Sequence, residues 1–145
     1  MLNKIMRTLF RLLFFAFFVI PAGCSNKDKA TSDETAITSQ LLASTWGVHY
    51  FYINTVDKTA LYTTCIFTFK KDSALIVSFM ASSYNGKWFI QKQQDASVKL
   101  GISGFSDALS QAFNNDWKIS GNDGTLVILK HYLPSSDKEL HFIRQ

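Results

Sequence analysis

The chain has 145 residues, of which 47% are hydrophobic and 14% aromatic, and its formal net charge is +4. Three of its fifteen Lys and Arg residues (Lys4, Arg7 and Arg11) precede Cys24, whereas all eleven acidic residues follow it, so the rest of the chain is nearly neutral. A clustered basic face for nucleic acid is therefore not expected, and the roughly 120 remaining residues suffice for one small domain.

The N-terminal stretch has the pattern of a secretory signal peptide. Its basic start is followed by an apolar run over residues 12–20, which fits the length of about 7–15 residues of a cleaved signal and falls short of the ~20 that a spanning helix needs. The ending Pro21-Ala22-Gly23-Cys24 resembles a bacterial lipobox, and this resemblance implies that Cys24 is lipidated, for example with palmitate, and anchors the protein. An ordinary signal, or a short anchor with a coincidental Cys, is the alternative.

Three segments are predicted: a signal peptide over residues 1–23, a flexible polar tether over residues 24–34, and a folded domain over residues 35–145. By analogy with lipoprotein sorting, Ser25 directly after the Cys favours the outer membrane. The expected location is therefore the bacterial cell envelope.

The folded domain is predicted to be all-β. Short aromatic and β-branched runs alternate with turn residues at residues 46–53, 60–69, 74–80, 87–92, 98–103, 117–120, 125–132 and 139–144. Tight hairpins are expected at Asn85-Gly86, at residues 122–124 and at residues 135–137. A short helix capped by Asp33 or Thr35 precedes the strands, and the apolar spacing over residues 105–113 predicts another helix between strands five and six. Eight sequential antiparallel strands favour an up-and-down barrel that closes on itself, with a two-sheet sandwich as the alternative.

The order of these signals resembles lipocalin-like domains, particularly the small lipoproteins of this kind in Bacteroidetes. The resemblance rests on Trp46 at the start of the first strand and on the runs at residues 66–69, 85–88, 116–119 and 140–144. Ser44 stands where lipocalins have a Gly two places before that Trp. The resemblance implies that a basic residue of the last strand, here Arg144, stacks on Trp46 in a cation–π pair.

The pattern of the first strand suggests a candidate pocket. If Trp46 points inward, strict alternation directs Tyr50 and Tyr52 inward, where they would line a pocket, and directs Phe51 outward. A filled core with tyrosines bonded at the rim is the alternative.

No residue is nominated as catalytic, and no cofactor or metal site is expected. His49 and His141 lie on strands that pair in a closed barrel, but two histidines without a further ligand make a poor metal site, so they are interpreted as surface residues. Cys65 would be left without a disulfide partner once Cys24 is lipidated, and is interpreted as a buried, inert thiol.

Two functions remain open. The first is an anchored lipoprotein whose barrel binds a small apolar or amphipathic ligand. The alternative is a non-enzymatic structural or interaction module that has a filled core and docks another envelope protein. An interior void above about 300 Å³ would favour the first function.

Overall fold

The structure, a computed structural model, describes residues 33–133 and 137–145. Its helices are α1 (Glu34–Ala43), α2 (Thr59–Tyr62) and a one-turn 3-10 helix (Ser110–Phe113). Its strands are β1 (Thr45–Ile53), β2 (Val56–Asp57), β3 (Ile66–Phe69), β4 (Ala74–Phe79), β5 (Ser82–Lys92), β6 (Val98–Ser103), β7 (Asn115–Asn122), β8 (Leu126–His131) and β9 (Lys138–Arg144).

The strands form a closed barrel. From β3 to β9 each strand pairs with its sequence neighbour, β1 pairs with both β3 and β9, and all of these pairings are antiparallel. The two-residue β2 only extends the sheet beside the end of β1. The predicted eight-stranded up-and-down barrel is therefore confirmed, and the alternative of a two-sheet sandwich is wrong. Closure of the barrel pairs the two edge strands that an open sheet would expose.

Helix α1 covers the end of the barrel at which β1 begins. The carboxylate of Asp33 accepts the backbone N–H of Thr35 at 3.0 Å and caps the helix, as predicted. Ile37 and Leu41, one turn apart, are buried against the core, and the indole N–H of Trp46 donates to the carbonyl of Leu41 at 3.2 Å. This end is therefore filled by the helix and its contacts with Trp46.

Two predicted elements are shorter than expected. The second predicted strand begins as α2, and only Ile66–Phe69 is extended. The helix predicted over residues 105–113 is reduced to its last turn. The carboxylate of Asp107 accepts the backbone N–H groups of Leu109 and Ser110 and the hydroxyl of Ser110, which is the pattern of a helix N-cap, so the helical turn begins only after Asp107.

One of the predicted hairpins is wrong. The turn between β4 and β5 is formed by Met80 and Ala81, since Phe79 pairs with Ser82, and Met80 has a φ of +53°. Gly86 lies instead within β5, where the ring of Phe105 fills the space that a Cβ would take. The turn over residues 122–124 is confirmed, and residues 134–136 of the third hairpin lie outside the described residues.

Candidate binding surface

A β-bulge interrupts β1 at its centre. Val48 lies opposite Phe142 of β9 and Tyr50 lies opposite the next residue, His141, so His49 is left as the extra residue. An extra residue reverses the inside–outside alternation of every side chain that follows it. Phe51, which strict alternation would direct outward, is accordingly 0% exposed and belongs to the core.

The pocket predicted from Tyr50 and Tyr52 is therefore wrong. Both tyrosines follow the bulge, are half-buried, and lie on the outer face of the barrel rather than in its interior. The predicted alternation holds as far as Val48, which is buried like Trp46. Beyond that point the bulge moves the two tyrosines to the outside.

Four rings form a continuous row on this outer face, which we call the aromatic ladder (His49, Tyr50, Tyr52 and His141). The rings of Tyr50 and Tyr52 are nearly parallel, at 11°, with centroids 6.1 Å apart. His49 and His141 are likewise stacked, at 6.4 Å and 19°, and His141 lies 5.1 Å from Tyr50 at a tilt of 53°. The bulge creates the ladder, because it places His49 beside His141 while turning both tyrosines outward.

Carboxylates flank the ladder. Tyr52 is paired with Asp57 of β2 on one side and with Glu139 of β9 on the other. One oxygen of Glu139 lies 2.7 Å from Nε2 of His141, and the other lies 3.9 Å from Nζ of Lys130. Burial raises the pKa of the Tyr50 phenol, and the carboxylates of Asp57 and Glu139 raise it further.

Aromatic side chains fill the interior of the barrel. Phe67 is fully buried, with ring centroids 4.8 Å from Phe113 and 4.6 Å from Phe142. Phe51 contacts Phe113 at 5.2 Å and Tyr62 at 5.0 Å. These rings occupy the space in which a carrier barrel would hold its ligand, which agrees with the filled-core alternative.

Two open grooves lie on the surface beside α1. One, of about 360 Å³, includes Leu42, Phe69 and Lys70 in its lining, and the other, of about 350 Å³, includes Leu42, Trp88 and Ile90. Lys71 borders both grooves. Both grooves lie outside the barrel interior and combine apolar side chains with Lys71, and the second is also lined by Glu34.

The first and last strands pair as predicted, with Trp46 directly opposite Arg144. The predicted cation–π stack is wrong, however. Nε of Arg144 donates to Oγ of Ser44 at 2.6 Å, and the cation–π contact found among the described residues joins Lys99 to Phe89. The hydroxyl of Ser44, at the position where lipocalins have Gly, provides the acceptor that draws the guanidinium away.

Cys65, His49 and His141 are the remaining candidate residues in the described part of the chain. Cys65 is fully buried, and burial raises the pKa of its thiol to about 11. His49 and His141 meet across the strands, but within residues 33–133 and 137–145 no three His, Cys, Asp or Glu side chains are grouped to hold a metal.

Cys24, the signal peptide and most of the tether lie outside the described residues, so the predictions for them stay predictions. Within the part of the chain that the structure describes, no helix has the length and apolar character to cross a membrane.

Sequence reasoning missed the flanking carboxylates and the arrangement of the ladder. The alternation of residues 139–143 does direct Glu139 and His141 to one face, and this was the available signal. The bulge residue itself is neither Gly nor Pro, and the nearest signal is Gly47, two residues earlier in the strand.

Comparison with known proteins identifies a similar fold. No protein-family model and no curated protein matches the chain. A similar solved structure is that of a DUF4847 family protein from Bacteroides vulgatus ATCC 8482, determined at 1.00 Å resolution. The two superpose with a TM-score of 0.52 at 16% identity, covering 75% of this chain and 97% of the other. At this identity the likeness establishes the shared fold alone.

Proposed function

We propose that the protein is a lipid-anchored module of the bacterial cell envelope that acts through the outer surface of its barrel. The outer-surface role rests on the bulge at His49, which directs Phe51 into the interior and places the aromatic ladder on the outer face. This arrangement favours a non-enzymatic interaction module over a carrier that holds its ligand inside the barrel.

Anchoring rests on the N-terminal sequence. Cys24 is the proposed site of lipid attachment, Ser25 supports an outer-membrane location, and the likeness to lipocalin-like lipoproteins agrees with both. The test is the Cys24→Ala variant in a Gram-negative host, compared with the wild type for membrane fractionation and for uptake of labelled palmitate. Loss of both in the variant supports the proposal. A variant that stays in the membrane, or a wild type without label, contradicts it.

The outer-surface role is tested by site-specific photo-cross-linking in intact cells. A benzophenone amino acid at Tyr52 should give a discrete cross-linked partner, and adding Tyr50→Ala should abolish the product. The control places the same group at Phe89, an aromatic residue of β5 that is 44% exposed and lies three strands from β1 around the barrel. Equal products at both positions, or none at Tyr52, would count against the ladder as the contact surface.

The grooves beside α1 favour a second candidate function. Their size suits a small amphipathic molecule, whose chain would lie along Leu42 and Trp88 while its acidic group meets Lys71. Native mass spectrometry of the full chain with fatty acids tests this candidate. A bound fatty acid that Lys71→Gln loses and Lys118→Gln retains would support it, and the absence of any adduct would exclude it.

A further inference from the structure

We propose that the aromatic ladder binds a cationic segment of a protein partner, with an arginine side chain as its main anchor. This inference rests on the proposed function and deepens it, because it assigns a chemistry to the partner that meets this face.

The first argument is the geometry of the rings. Tyr50 and Tyr52 are half-buried, stand parallel 6.1 Å apart, and belong to a row that continues through His141 to His49. A cation placed against a tyrosine ring is attracted by the negative face of its π-system. A guanidinium is planar and weakly hydrated, so it stacks on such rings better than an ammonium does.

The second argument is the charge around the rings. In the sheet Tyr52 lies between Asp57 and Glu139, so that a carboxylate borders the tyrosine on either side. Every charged group that acts appreciably on the Tyr50 phenol raises its pKa, namely Asp57, Glu139 and Asp137. Two carboxylates therefore lie on this face beside Tyr52, of which Glu139 also contacts His141 at 2.7 Å and Lys130 at 3.9 Å. An incoming arginine would find both an aromatic face and carboxylates.

The third argument is the bulge itself. β-bulges redirect side chains and occur preferentially beside functional sites. Here the bulge costs β1 a regular pairing with β9 and moves two large aromatic side chains out of a barrel that other aromatic residues fill. The redirected tyrosines meet the carboxylates only because of this shift.

The test uses the full chain in a non-ionic polyoxyethylene detergent. The probe is a blocked tetra-arginine peptide, and the controls are tetra-lysine and tetra-citrulline peptides, the latter having a similar shape without the charge. Calorimetric titration measures affinity, and amide chemical shifts locate the contact. We expect binding in the order arginine, lysine, citrulline, with shifts at residues 49–52 and 139–141.

Charge-matched variants separate the ladder from general attraction. Asp137→Asn with Glu139→Gln should raise the dissociation constant of the arginine peptide by about tenfold or more, as should Tyr50→Leu with Tyr52→Leu. Asp95→Asn with Asp123→Asn removes the same charge from turns at the α1 end and should leave the affinity unchanged.

Three outcomes would overturn the inference: equal weakening by both acidic pairs of variants, binding of the citrulline peptide as tight as that of the arginine peptide, or shifts elsewhere on the barrel. Cellohexaose is titrated in parallel, and tighter binding of this neutral sugar at residues 49–52 would assign the ladder to saccharides instead. Each of these results is distinguishable from failure of the proposed function, because cross-linking from Tyr52 in cells reports any partner regardless of its charge.

Discussion

Replacing Phe51 by Ala tests the reversal of alternation at its first buried residue. The Phe51 ring lies 5.0 Å from Tyr62, 5.2 Å from Phe113 and 6.4 Å from Trp117, and none of it is exposed. Truncating a phenylalanine in such a position costs about 3–5 kcal/mol of the free energy of unfolding, out of the roughly 5–15 kcal/mol typical of a domain. Tyr52→Ala, one residue along, loses a half-buried ring and a single stacking partner, at a cost near 1 kcal/mol.

Urea unfolding of the full chain, followed by the fluorescence of the three buried tryptophans, Trp46, Trp88 and Trp117, measures both changes. With a slope of about 2 kcal/mol per molar urea, Phe51→Ala should lower the midpoint by roughly 2 M and Tyr52→Ala by about 0.5 M. The reasoning would be refuted if Tyr52→Ala were the more destabilising change, because strict alternation from Trp46 predicts that order.

Three further predictions follow from the same contacts. Deleting His49 removes the extra residue while the strand pairs on both sides of it remain, so it should lower the free energy of unfolding by less than about 2 kcal/mol. Deleting Ile76 from the regular strand β4 reverses the alternation of the residues that follow and should unfold the barrel. Thermal melts followed by circular dichroism compare the two deletions. Gly86→Ala forces a Cβ into the buried ring of Phe105 and should lower the free energy of unfolding by about 1–3 kcal/mol. Gly101→Ala meets the ring of Phe89, which is 44% exposed and can turn towards solvent, so its cost should be less than about 1 kcal/mol. Urea titrations measure both, and equal costs would contradict this packing. Burial raises the pKa of the Cys65 thiol to about 11, so the stability linked to this thiol is complete below about pH 9 and is lost as the pH rises through 11. Cys65→Ala should therefore flatten this part of a profile of stability against pH. An unchanged slope would contradict the raised pKa of the Cys65 thiol.

The barrel was predictable from the sequence because its signals are local and repeated. Strand periodicity, the turn at residues 122–124 and the Asp33 cap each depend on neighbouring residues, and closure follows from the number of sequential antiparallel strands. The pairing of Trp46 with Arg144 was likewise predicted correctly. The hydrogen bond from Arg144 to Ser44 depends instead on a single hydroxyl, which the family resemblance does not predict.

The candidate surface was not predictable, because it depends on register. One extra residue at His49 decides which side chains of β1 face outward, and neither Gly nor Pro marks that position. The same limitation explains the hairpin error. Asn85-Gly86 has the composition of a turn, yet Gly86 is small because the Phe105 ring packs on it from a distant part of the chain. Contacts of this kind become visible only in three dimensions.

Thiol labelling at two adjacent positions tests the central claim, the outward placement of the ladder, most directly. Tyr52→Cys and Phe51→Cys are each made in a Cys24→Ala, Cys65→Ala background and treated with maleimide under native conditions. The Tyr52→Cys thiol should react almost as fast as a free thiol, whereas the Phe51→Cys thiol should react only through opening of the barrel, at least about a hundredfold more slowly. Faster labelling at position 51 than at position 52 would contradict the account.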